Sequence, residues 1–133
     1  MATDLEQELK RTTALRGFRF GIHEFVAKLK GVDALKKHND AIEAGYLKKG
    51  LLDNKTKELA IIVACVALKD SLPHMQCHMH VATKAGATPE EILELIELIG
   101  SWTGSVAKIH GLEAWRTTFR PDIPTIERVV ELQ

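Results

Sequence analysis

Apolar residues recur along this chain every three or four positions, in blocks separated by glycine, proline or capping residues, and that spacing is the signature of one face of an α-helix. The first block, Asp4 to about Leu15, is a polar helix with Asp4 as its cap ahead of Leu5, Leu9 and Ala14, interrupted at Gly17. Phe18 to Leu29 then places Phe18, Ile22, Phe25 and Leu29 on one stripe that ends at Gly31. A third helix is predicted from Asp33 to Lys48, with Leu35, His38, Ile42 and Tyr46 near one side and Gly50 closing it.

The second half is more strongly patterned. Asp53-Asn54-Lys55-Thr56-Lys57-Glu58-Leu59 supplies capping residues and leads into a helix from about Lys55 to Leu68. Its apolar run, Leu59 to Leu68, is about half a membrane span, so it reads as a central helix buried on most sides. Pro73 fits the first position of the next helix, where its missing N–H costs nothing, and Gly86 ends that helix. Thr88-Pro89-Glu90-Glu91 is a capping box, followed by the stripe Ile92, Leu95, Ile96 and Ile99. Gly100 to Gly104 reads as a junction and Ser105 to about Phe119 as the last long helix. Pro121 and Pro124 mark a looser tail over 120–133, with a short helix at Ile126 to Leu132. The expectation is an all-α domain of about six to seven helices covering 1–133, with no repeat, low-complexity tract or linker.

Composition narrows the function classes. Apolar residues make up 45% of the chain and charged ones 27%, and 18 basic residues balance 18 acidic ones, which gives no polyanion signal. Neither nucleic acid nor a membrane is an expected partner. Met1 to Glu6 lacks the basic start and apolar stretch of a secretory signal. Cys65 and Cys77 are too few to staple a secreted scaffold, so a reducing, cytoplasmic setting is expected.

The most unusual stretch is Pro73-His74-Met75-Gln76-Cys77-His78-Met79-His80. At about 100° per residue, His74, Cys77, His78, Val81 and Ala85 share one face, while His80 points nearly opposite, toward solvent. Val81 and Ala85 are small and apolar, so the shared face is expected to pack and to draw His74, Cys77 and His78 inward. Histidines at i and i+4 with a cysteine at i+3 could converge on one ion, with His110 as a fourth ligand. No established zinc spacing is matched, however, and buried histidines more often satisfy a hydrogen bond; no metal and no cofactor is expected.

Across Leu51 to Ala114 the landmarks follow a recognisable order. Asp53-Asn54-Lys55-Thr56-Lys57-Glu58-Leu59 opens an apolar helix, His78 follows, then Ala85-Gly86-Ala87-Thr88-Pro89-Glu90-Glu91-Ile92 with Glu94, and a late Gly104. That order resembles the carboxymuconolactone decarboxylase family, which includes the alkylhydroperoxidase D (AhpD)-like proteins. The resemblance implies an AhpD-like helical bundle round a central helical hairpin, with the family-like core at about 51–114 and helices over 4–50 in front of it. It also implies a homo-oligomer, trimer or hexamer, with active sites near subunit contacts.

The redox branch of that family carries Cys-x-x-Cys-x-x-x-His and an upstream glutamate that helps to activate the thiols. Counting back from His78, the cysteine positions hold Ser71 and His74; counting forward from Glu58 lands on Asp70, which implies a one-residue insertion in the loop. Neither count finds a cysteine. Cys77 adjoins His78, but Cys65 lies on another helix, so dithiol peroxidase turnover is not expected, and Cys77 acting alone as a thiol antioxidant group stays open. The decarboxylase branch keeps the histidine without using the cysteine pair. Its chemistry implies a cofactor-free lyase acting on a small carboxylated lactone or keto acid, with His78 as acid/base and Glu58 orienting it. His110, just beyond Gly104, together with His74 and Cys77, completes the candidate site. Arg116, Lys108 and Arg19 are candidate carboxylate anchors or plain surface charge, and Trp102 and Trp115 are expected in the core or at an interface. A non-catalytic oligomeric binding protein is the remaining alternative.

Overall fold

The computed structural model describes residues 2–133; Met1 lies outside the described residues. Among the described residues there are seven helices and no strand: α1 (Asp4–Arg16), α2 (Gly21–Lys30), α3 (Val32–Gly45), α4 (Asn54–Ala67), α5 (Leu72–Lys84), α6 (Pro89–Thr103) and α7 (Ser105–Phe119). They gather into two compact units, one ending at Leu52 and the other running from Asp53 to Gln133.

In the first unit α1 and α2 pack on α3. The cap of α1 is Thr3 rather than Asp4: the Thr3 hydroxyl accepts from Glu6 N–H at 3.3 Å and Glu6 reaches back to the Thr3 N–H at 2.8 Å. Gly17 closes the helix in the left-handed region, at φ 77°. The α1–α3 contact is polar at its centre, where the buried Thr12 and Asn39 meet at 2.9 Å and the Asn39 amide donates to the Glu8 carboxylate at 2.9 Å. The expected stripe of α2 is present but turned outward. Ile22, Phe25 and Leu29 are exposed, whereas His23 and Ala27 are buried. The helix begins at Gly21, and the His23 Nδ1 accepts the Phe20 N–H at 3.0 Å, so the histidine doubles as a cap and must face inward. α3 stops at Gly45, short of the expected Lys48.

In the second unit α4 packs against α5, α6 and α7. Ile62, Val66, Met75, Met79, Ile92 and Ile96 are all but sealed from solvent, and burial of each contributes about 1.5–3 kcal/mol. The apolar run of α4 is less enclosed than expected, since Ala60, Ala64, Ala67 and Leu68 lie exposed. On α5 the core positions are Met75, Met79 and Ala82 beside His78, while Val81 and Ala85 are only half-buried. The long, adaptable methionines fill the space that the small residues could not.

The Thr88–Glu91 capping box forms as expected, with contacts of 3.1 and 2.9 Å. α6 does not break at Gly100 but runs on to Thr103. Gly100 serves close packing, because a Cβ there would stand 2.7 Å from the Lys108 side chain. The tail after Arg120 forms no helix at Ile126 to Leu132. Val129, Val130 and Leu132 are exposed, and the Ile126 N–H that a helix would leave open is taken by Glu113 at 3.1 Å. Trp115 is half-buried against the core with its Nε1–H on the Pro89 carbonyl at 2.7 Å, whereas Trp102 is 84% exposed and belongs to no core.

Candidate active site

Local structure fixes each member of the site. Asp53 caps α4 by accepting the Thr56 N–H at 2.7 Å, and Glu58 follows one turn later on the face shared with Ile62 and Cys65, which carries it into the core. α4 then ends in a Schellman turn: Asp70 N–H bonds the Cys65 carbonyl at 2.9 Å and Lys69 N–H the Val66 carbonyl at 3.1 Å. The turn forces Lys69 to φ 54° and sets Asp70 one helical turn ahead of His74. Ser71 caps α5, accepting the His74 N–H at 3.4 Å.

The side chains meet in a line. His78 Nδ1 stands 2.7 Å from Glu58 Oε2, His78 Nε2 stands 3.1 Å from His74 Nε2, and His74 Nδ1 bonds Asp70 Oδ2. The Glu58 and His78 side chains are 0% and 4% exposed, while those of His74 and Asp70 are each 34% exposed, so the line runs from the core to the surface. A buried carboxylate or imidazole without a partner would cost several kcal/mol; pairing removes that cost. With each Nδ1 on a carboxylate, the two Nε2 atoms face one another, where a proton or a cation can sit between them.

Electrostatics separate the acid/base groups from the thiols. Burial on its own would raise the Asp70 carboxyl, but the hydrogen bonds from His74, the Ser71 N–H and Cys65 together hold it below its ordinary value. Burial pushes the Cys65 thiol up to about 12, helped by the neighbouring Asp70 and Glu58 carboxylates. Partial burial raises Cys77 as well. Both shifts reduce the thiolate at neutral pH, the opposite of what a nucleophilic cysteine needs.

The structure brings Glu58, His74 and His78 together as one hydrogen-bonded set. His110 reaches the same turn from α7, its Nε2–H donating to the Asp70 carbonyl, so it braces the loop. Cys77 is half-buried, a position before His78, and takes no part in the line; His80 is exposed, as its phase on the helix predicts. Ser71 is a helix cap. Among the charged candidates, Arg116 is committed to Glu113 at 2.7 and 2.9 Å, Arg19 pairs with Glu24 at 3.4 Å, and Lys108 lies half-buried against Gly100. Sequence reasoning missed Asp70 as the partner of His74; its signal was the i, i+4 spacing across the start of α5. An open pocket of about 310 Å³ between Leu59, Glu91, Glu94, Leu95 and Leu98 carries two carboxylates, a poor lining for an acidic substrate.

No curated protein and no solved structure matches the chain. The sequence profile of the carboxymuconolactone decarboxylase family, however, matches residues 33–117. That match takes in α4 to α6, nearly all of α7, and every member of the line from Glu58 to Asp70. The chain belongs to the carboxymuconolactone decarboxylase family.

Proposed function

We propose that the protein is a lyase that removes carbon dioxide from a small carboxylated lactone or keto acid without a redox group, using His78 as its acid/base. The observation that carries this reading is the buried Glu58–His78 pair, 2.7 Å apart, which locks one imidazole nitrogen and leaves Nε2 as the position for proton exchange. In the reaction the bond to the carboxylate carbon breaks, its electron pair passes into the conjugated carbonyl, carbon dioxide leaves, and one proton ends on carbon. Glu58 is a positioning residue, and half-exposed His74 supplies the route by which His78 regains its proton. Two raised thiols weigh against a peroxidase that uses Cys77.

Exposed Leu98, Trp102, Val106 and Ile109 on α6 and α7 support assembly into a homo-oligomer, as patches of this kind commonly mark interfaces. Among the described residues no helix is long and apolar enough to cross a membrane. Turnover of a panel of lactone acids and keto acids tests the reading. His78→Ala should abolish activity while leaving oligomer size unchanged, and full activity in that variant would remove His78 from the mechanism. Peroxide consumption abolished by Cys77→Ser would instead support thiol chemistry. Specific binding of a panel compound with no turnover by the wild-type chain would support a binding protein.

A further inference from the structure

The geometry points to a divalent transition-metal site whose protein ligands are His74 Nε2 and His78 Nε2. The inference goes beyond the reaction proposed above: an ion on His78 Nε2 takes the lone pair that the proton exchange uses, so the metal-loaded chain is expected to be inactive as a decarboxylase. Because the inference is tested by binding, its failure and that of the decarboxylase reading are separate results.

Two histidines at i and i+4 on one helix face can reach a single ion, the device that helical zinc motifs use. With nitrogen–metal bonds of about 2.05 Å, two nitrogens 3.1 Å apart subtend about 98° at the ion, between the octahedral and tetrahedral angles. The rings agree. Imidazoles meeting end to end about a straight N–H···N bond would hold their centroids roughly 5.4 Å apart. Here the centroids are 4.7 Å apart and the planes cross at 81°. The rings are therefore bent away from the line that joins the nitrogens, as two imidazoles sharing one ion at about 98° would be.

The surroundings support the same reading. Metal-bound histidines characteristically donate their other ring N–H to a carboxylate, which fixes the tautomer and raises ligand basicity. Both do so here, His78 to Glu58 and His74 to Asp70. The His74 side chain is 34% exposed, so an ion can enter and complete its coordination with water. An all-imidazole protein donor set favours zinc, copper, nickel or cobalt over magnesium or calcium. A rival grouping, Cys65, Asp70 and His74, places ligand atoms within 4.8 Å of one another. In it, however, Asp70 and His74 already bond each other and the thiol is pushed up to about 12.

Titration of the full chain with Zn2+ and Co2+, followed by equilibrium dialysis and cobalt absorption, tests the site. One ion per chain is expected. Affinity should fall at least tenfold in His74→Ala and about 10–100-fold in Glu58→Gln, and stay unchanged in Cys65→Ser. Co2+ should give weak visible bands without thiolate charge transfer. In the wild-type chain it should displace the ring signals of His74 and His78 and leave those of His38 and His80 in place, a readout that needs no variant to fold. Absence of binding at millimolar Co2+, stoichiometric binding that survives His74→Ala, or a thiolate band lost in Cys65→Ser would overturn the assignment.

Discussion

Glu113 gives the sharpest stability test, because every hydrogen bond of its carboxylate can be followed through one substitution. Oε1 accepts Arg116 Nη2 at 2.7 Å and Thr125 Oγ1 at 2.9 Å, while Oε2 accepts Arg116 Nε at 2.9 Å and the Ile126 N–H at 3.1 Å. In Glu113→Gln one oxygen becomes NH2; with NH2 at the Oε1 place the Thr125 hydroxyl can turn to accept from it, and the Arg116 Nη2 contact becomes donor against donor. At about 1.5–3 kcal/mol for a charge-assisted hydrogen bond removed, the variant should be about 1.5–3 kcal/mol less stable, which for a chain of this size lowers Tm by roughly 5–10 °C. The same charge makes the effect pH-dependent. The Arg116 guanidinium, with help from Ile126 N–H and Thr125 and against the opposing effect of burial, holds Glu113 at about 2, below its ordinary 4.5. A depressed folded-state value means that the contribution is complete above about pH 4.5 and fades as pH falls toward 2. Urea unfolding followed by circular dichroism, at neutral pH and at steps into that window, should show a gap between wild type and variant that narrows with acid. Proteolysis of 121–133 should quicken in the variant. Equal midpoints at neutral pH, or a gap that stays constant into acid, would refute the reasoning.

Glu58→Gln keeps an acceptor for His78 but removes its charge, a difference of about 1.4 kcal/mol, so kcat/KM on any substrate turned over should fall about tenfold with the fold retained. An unchanged rate would sink the orienting role. Lys69 holds φ 54° where glycine carries no steric cost, so Lys69→Gly should raise stability by about 0.5–1 kcal/mol in urea melts. A loss of stability there would contradict the Schellman assignment. At Gly111 a Cβ would stand 3.0 Å from side-chain carbons of Ile96 and Val66. Gly111→Ala should therefore cost about 1–3 kcal/mol through forced repacking, and a neutral melt would show that α7 has room to shift.

How far the sequence predicts the fold depends on what each signal measures. The capping box at Thr88 and the cap at Asp53 are local hydrogen-bond patterns, decided within four residues, and both form. Periodicity gives the helices but not always the buried side. Ile22, Phe25 and Leu29 form the expected stripe and face solvent, because His23 is held inward as a cap and Ala27 allows close approach. Gly100 reads as a break from sequence alone, yet its role is close packing with Lys108, which no local pattern encodes. At the site the helical phase of His74, His78 and His80 is legible, and the resemblance singles out Glu58. The bond from His74 to Asp70 depends on a left-handed lysine in the intervening loop, and hydropathy carries no trace of it.

The His74–Asp70 pair explains how the frame of this family can hold a histidine in place of a cysteine of the Cys-x-x-Cys pair. Glu58 is sealed in the core and requires a donor; His78 supplies one through Nδ1 and thereby turns Nε2 toward α5's first turn. In the redox branch the resemblance places a cysteine where His74 stands, and a thiol there would meet that nitrogen as a proton donor. An imidazole brings a second lone pair instead, and its own Nδ1–H must find an acceptor at the surface. Asp70 meets that need, and the hydrogen bonds it gathers hold its carboxyl in the charged form. The exchange of a thiol for a histidine thus carries a second requirement, an aspartate four residues earlier held in place by the α4–α5 turn. Removing Asp70 while leaving His74 should free the ring to rotate and break the Nε2–Nε2 contact without touching either histidine.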